Sequence, residues 1–125
     1  ISQAIALRDQ NSGNKNRSIL KTAVDFIDSH YMEEDMSLNK AANAANVSAN
    51  HFSALFSQNM GQTFIEYLTN LRMNKAKEYL RCTSMRSSEI AGEIGYKDAH
   101  YFSYLFKKTQ GMTPSDYRKA REDKA

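Results

Sequence analysis

Apolar residues recur at helical spacing along most of this chain, and short polar or turn-forming segments interrupt them. Ile19, Ala23, Phe26, Ile27 and Tyr31 fall on one face of a first helix that Ser18 is placed to open. Glu33-Glu34-Asp35 breaks that pattern. Ser37 is a good N-cap for a short second helix, whose Ala41, Ala42, Ala44 and Ala45 permit close approach of a neighbour. Asn46-Val47-Ser48 is a tight turn, and Ser48 caps a third helix with Phe52, Leu55 and Phe56 on its buried side. Gly61 stops that helix. Thr63-Phe64-Ile65-Glu66 is a capping box for a fourth helix running to about Arg81, ~17 residues or roughly 26 Å long.

The plan then restarts. A fifth helix begins at Arg86 or Ser87 and turns Ile90, Ala91 and Ile94 inward. Gly95-Tyr96-Lys97-Asp98 forms a turn one residue longer than its counterpart. A sixth helix over 99–109 buries Phe102, Leu105 and Phe106, and Gly111 ends it. Pro114 suits the first turn of a last helix ending near Arg121. The recurrence is residue by residue. Phe52-Ser53-Ala54-Leu55-Phe56, Gly61-Gln62-Thr63 and Glu66-Tyr67 are matched by Phe102-Ser103-Tyr104-Leu105-Phe106, Gly111-Met112-Thr113 and Asp116-Tyr117. The expected fold is all-α: seven helices in two helix-turn-helix subdomains, 18–62 and 82–121, joined by a long linking helix over 63–81. The polar stretch Gln10 to Asn16 makes residues 1–17 read as a linker from a preceding domain.

Two copies of a helix-turn-helix suit a periodic ligand, and duplex DNA is one. The second helix of such a motif enters the major groove. The inward residues are set by the repeat, so the outward ones follow. On the third helix they are Ala49, Asn50, Ser53, Ala54 and Ser57, with His51 at the margin and partly buried. On the sixth they are Ala99, His100, Ser103, Tyr104 and Lys107, with Tyr101 at the margin. Asn can bond adenine in two places, His and Ser can donate or accept, and Ala can touch a thymine methyl. Ser57, Lys97, Lys107, Lys108 and the helix N-termini are the expected phosphate contacts. No Arg faces outward on either reading helix.

Charge adds modest support. The net +3 divides unevenly. Residues 1–70 carry five Lys/Arg against seven Asp/Glu, and residues 71–125 carry twelve against seven. A basic half fits a polyanion partner but also ordinary solvated helix surface. A hydrophobic share of 41% and a charged share of 25% are normal for a globular protein. One Pro and five Gly argue against an all-β fold. Neither a membrane-spanning apolar run nor a secretory signal is visible. The lone Cys82 fits a reducing compartment and reads as a buried or half-buried apolar residue.

An enzyme is disfavoured. His30, His51 and His100 lack metal-site spacing, and no phosphate loop, nucleophile elbow or acid–base pair is present. No cofactor or metal is expected. A helical protein-interaction module is the rival reading, but solenoids need about three or more copies to share a core.

The longest sequence signals are Leu38 to Phe56, Gly61-Gln62-Thr63-Phe64, Arg72-Met73-Asn74-Lys75-Ala76, Ile90 to Tyr96, Tyr101 to Lys108, and Gly111 to Arg118. On these residues the chain, from Ser18 to Arg121, resembles the DNA-binding domain of the AraC/XylS family of bacterial transcription regulators. The resemblance implies two recognition helices in successive major grooves. It carries base contact to Asn50, Ser53 and Ala54 in the first copy, and to Ala99, His100, Tyr101, Ser103 and Tyr104 in the second. The family often has Arg where Ala54 stands. The segment before Ser18 is similar to the response-regulator branch, and a sugar-binding N-terminal domain also fits. The partners to expect are double-stranded DNA and RNA polymerase, with dimerisation through the preceding domain, in the cytoplasm and without a membrane.

Overall fold

A computed structural model describes residues 10–124, with side chains over 14–121. These residues form seven helices and no strand: α1 Gln10–His30, α2 Leu38–Ala44, α3 Ala49–Met60, α4 Phe64–Cys82, α5 Ser87–Glu93, α6 Ala99–Gln110 and α7 Pro114–Lys124. Their contacts divide the chain into two compact units. Among the described residues, the first comprises those up to Ser29 together with Ser37–Tyr67, and the second His30–Met36 together with those from Leu68 onward.

In the first unit, Ala23 and Ile27 of α1, Ala41 and Ala42 of α2, and Phe52, Leu55 and Phe56 of α3 are buried, with Phe64 at the start of α4. The alanines leave space that aromatic rings fill. Phe52, Phe56 and Phe64 meet with centroids 5.5 to 6.4 Å apart, and Tyr67 stands edge-on to Phe56 at 5.4 Å. Edge contacts of this kind set a ring's positive rim against a neighbour's negative face, so they fix orientation as well as fill volume. The Tyr67 hydroxyl donates to Asp28 Oδ1 at 2.8 Å. Its pKa is pushed up to about 12, first by burial and then by the Asp28 carboxylate, which accepts its proton and opposes the phenolate.

The second unit repeats the scheme with different fillers. Met73, Ala76 and Leu80 of α4, Ile90, Ala91 and Ile94 around α5, and Phe102 and Phe106 of α6 form one buried cluster. Tyr79, Met85, Tyr96, Ala99, Leu105 and Tyr117 pack against it. Tyr117 stands edge-on to Phe106 at 5.8 Å, the counterpart of the Tyr67–Phe56 contact.

Ser37, Ser48 and Thr63 cap where the sequence nominates them, and the structure adds Asp98 and Arg86. Ser37 accepts from Lys40 N and Ser48 from His51 N, each at 3.1 Å. Thr63 and Glu66 exchange both bonds of the capping box at 3.1 and 2.9 Å. Asp98 Oδ1 accepts from the backbone of His100 and Tyr101. Arg86 precedes α5, and its N–H donates to Glu89 at 2.8 Å. Gly61 and Gly111 end α3 and α6 in the left-handed conformation.

Several local expectations change. Helix α1 starts at Gln10 rather than Ser18. No Pro interrupts residues 10–17, and once a buried turn nucleates a helix, each added residue gains a hydrogen bond. Residues 1–9 of the expected linker lie outside the described residues. The last helix continues past Arg121 to Lys124. Cys82 is exposed rather than buried, because it ends α4 beyond Leu80, the last residue of that helix's buried stripe. His51, expected to be partly buried, is exposed, while Phe52 beside it takes the buried face. None of the helices is long and apolar enough to cross a membrane among the described residues.

Candidate nucleic-acid interface

Each reading helix is held by a turn, a cap and two phenylalanines. In the first unit the chain leaves α2, passes Asn46 at φ 60°, and returns Val47 N to Ala42 O at 3.1 Å. In the second it leaves α5, passes Gly95 at φ 107°, and returns Tyr96 N to Ala91 O at 2.8 Å. Asn tolerates the left-handed region through local hydrogen bonding, whereas φ near 107° is glycine territory. Beyond the turn, Ser48 or Asp98 starts the helix, and a buried Phe pair at 52/56 or 102/106 sets its rotation.

That rotation decides which residues face outward. On α3, Asn50, His51 and Ala54 are exposed, and Ser53, Ser57 and Ala49 are half-buried. On α6, His100, Tyr101, Tyr104, Lys107 and Lys108 are exposed, and Ala99 and Ser103 are half-buried. The faces differ in kind. The α3 face is small and uncharged. The α6 face carries two tyrosines, 50% and 58% exposed, with ring centroids 6.4 Å apart and planes inclined by 29°, and the Lys108 ammonium 5.8 Å from the Tyr104 centroid.

Two expected phosphate contacts meet competing groups. Lys97 is exposed but lies 3.9 Å from the Glu34 carboxylate, a loose surface pair worth little. The N-terminal amides of α6 already face the Asp98 carboxylate, whose charge opposes an approaching phosphate. The α3 N-terminus carries the neutral Ser48 instead. No acidic side chain lies on either reading helix itself.

Arg72 is the residue the sequence pattern misplaces. It counts among the basic residues of the second half, yet it is only 5% exposed. Its Nε donates to Tyr31 O at 2.7 Å and its NH2 to Glu33 O at 2.8 Å. Its guanidinium lies 4.8 Å from the Tyr96 ring centroid. A buried cation is tolerable only when its donors are satisfied, and here two carbonyls and a π face do this. Gly95 completes the arrangement, because a Cβ there would come within 2.7 Å of Arg72 NH2. The signal in the sequence was the Gly itself, since a turn residue without a side chain often marks close approach by something large. No group of His, Cys, Asp and Glu among the described residues could hold a metal ion.

This duplicated scaffold has known counterparts. The helix-turn-helix domain family matches residues 41–120. A solved transcriptional regulator from Chromobacterium violaceum, described as containing an AraC-type DNA-binding domain, is 28% identical. It superposes with a TM-score of 0.74, over 90% of this chain and 96% of that one. The chain belongs to the AraC-type helix-turn-helix family of transcription regulators. The C-terminal domain of AraT, a response regulator from Geobacillus stearothermophilus, is 40% identical with a TM-score of 0.80, covering 82% of this chain and 85% of that one. Among curated proteins, the lactose operon transcription activator of Staphylococcus xylosus is 36% identical over 99 residues, 79% of this chain and 35% of the activator. The AraC-type chain spans between 12% and 38% of the length of curated relatives it matches.

Proposed function

We propose that this AraC-type chain is the duplex-reading part of a bacterial transcription regulator, with α3 and α6 lying in successive major grooves. The observation that carries the reading is a scaffold built twice around the same buried Phe pair, 52/56 and 102/106, with two outward faces that differ. Shared burial keeps two helices presentable, and different faces let each read its own half-site. Base contacts are assigned to Asn50, Ser53 and Ala54 on α3, and to Ala99, His100, Tyr101, Ser103 and Tyr104 on α6. Phosphate contacts are assigned to Ser57, Lys97, Lys107 and Lys108. The family likeness and the side chains available support these assignments. Amide and imidazole groups can make directional bonds to base edges, and ammonium groups displace counterions from phosphates. The proposal extends to dimerisation through a preceding N-terminal domain, RNA polymerase as a further partner, a non-enzymatic role and a cytoplasmic location, in keeping with membership of a transcription-regulator family.

Selection of sites from random duplexes tests the reading. It should yield one preferred sequence with two blocks about one helical turn apart. Asn50→Ala should relax one block and His100→Ala the other. Loss of preference at the same base pair in both variants would refute the two-groove assignment. Lys107→Ala should weaken binding to every duplex and reduce the slope of log affinity against log salt by about 0.9, one phosphate's worth.

A further inference from the structure

The exposed face of α6 carries two aromatic rings, those of Tyr101 and Tyr104. Tyr101 and Tyr104 occupy neighbouring positions one turn apart, half or more exposed, with rings 29° from parallel. Exposed aromatics on a soluble helix ordinarily keep rotamer freedom, yet this pair is tied at both ends. Tyr101 packs edge-on against Tyr96 at 5.9 Å, and Tyr96 in turn lies stacked on buried Phe102 and beside the Arg72 guanidinium. Tyr104 has Lys108 near its ring. Arg72, Tyr96, Tyr101, Tyr104 and Lys108 thus form a run of ring and cation contacts from the buried interior to the reading face.

In the major groove the one apolar group on a base edge is the C5 methyl of thymine; the rest are hydrogen-bond donors and acceptors. A pre-ordered aromatic plate loses little conformational entropy on binding. It gains most from a partner that needs no directional bond. The α3 face has no counterpart, since Ala54 stands where α6 has Tyr104. Resting on the proposed DNA reading, we propose that the Tyr101–Tyr104 pair reads thymine through its methyl group, making the α6 half-site methyl-dependent. Tyr96 and Arg72 are positioning residues for this plate.

The test replaces each thymine of the selected site, one at a time, by deoxyuridine. This removes the methyl and leaves every hydrogen-bonding group in place. The 125-residue chain should bind at least one such duplex about fourfold more weakly, the factor corresponding to ~0.8 kcal/mol per buried carbon. In Tyr101→Ser/Tyr104→Ser the thymine and deoxyuridine duplexes should bind equally, while Tyr104→Phe, which keeps the ring, should retain the difference. A circular dichroism melt matching the parent's confirms that the exposed substitutions leave the fold intact. Equal binding of thymine and deoxyuridine duplexes by the parent chain overturns the inference while leaving DNA recognition standing. So does a methyl effect that survives in the double variant, or a selected site without thymine. Failure to bind any duplex at low salt overturns the DNA reading itself.

Discussion

The two helix-turn-helix units keep the same buried geometry but reach it with different materials. The first is cored by three phenylalanines, with alanines opposite; the second places Ile90 and Ile94 where the first has Ala41 and Ala45, and Pro114 where it has Phe64. Volume moves from the start of α4 in one unit to α5 in the other, and the Phe–Phe–Tyr contacts survive with centroids 5.4 to 5.9 Å apart in both. The turns show the reverse. Asn46 has room for its side chain, but Gly95 is pressed against Arg72. Equal cores with unequal turns and faces suggest that the scaffold specifies presentation and that the differences specify what each unit does.

The largest effects should come from truncation in the two cores. Phe56→Ala and Phe106→Ala should each cost about 3–5 kcal/mol, as truncation of a fully buried ring usually does. Urea unfolding should show the larger loss for Phe56, which touches three aromatic neighbours against two for Phe106. A larger loss at Phe106 would mean the isoleucine-lined core, not the aromatic one, is the tighter of the two.

The turns come next. Gly95→Val should cost at least ~3 kcal/mol, combining a β-branched residue at positive φ with displacement of a buried cation. Asn46→Val, with only the backbone penalty, should cost about 1–2 kcal/mol. Equal melting temperatures for the two variants would remove Arg72 from the account of the second turn.

The caps should differ less. Asp98→Ala removes bonds to two backbone N–H groups and a favourable charge at a helix N-terminus, whereas Ser48→Ala removes one neutral bond. Both should cost about 1 kcal/mol, Asp98 the more, with the gap narrowing in high salt. At the same time Asp98→Ala should tighten DNA binding slightly, since a carboxylate leaves the edge of the reading helix.

The last effect is confined to alkaline pH. Tyr67 holds its proton more tightly folded than unfolded, because its pKa is raised from 10.0 to about 12. The stabilisation is therefore complete below pH 10 and disappears as pH rises from there toward 12. Absorbance titration of the parent minus Tyr67→Phe should show this late phenol. Asp28→Asn should bring its titration part of the way back, since burial is the larger cause. A difference curve centred at pH 10 in the parent would sink the assignment.

Seven helices, the caps Ser37, Ser48 and Thr63, the buried Phe pairs and the outward faces of α3 and α6 were legible in the sequence. All of these rest on periodicity and on contacts three or four residues apart, and a chain carries that information locally. The reach of α1 to Gln10 was not legible, because an Asn- and Ser-rich run is locally indifferent between helix and linker. Tertiary structure alone decided where Arg72 goes, since its partners Tyr31 and Glu33 lie 41 and 39 residues away. It also decided that the acidic break belongs to the second unit and that Asp28 governs Tyr67. Each of these depends on groups distant in the chain meeting in space, and no spacing rule within a helix encodes such a meeting.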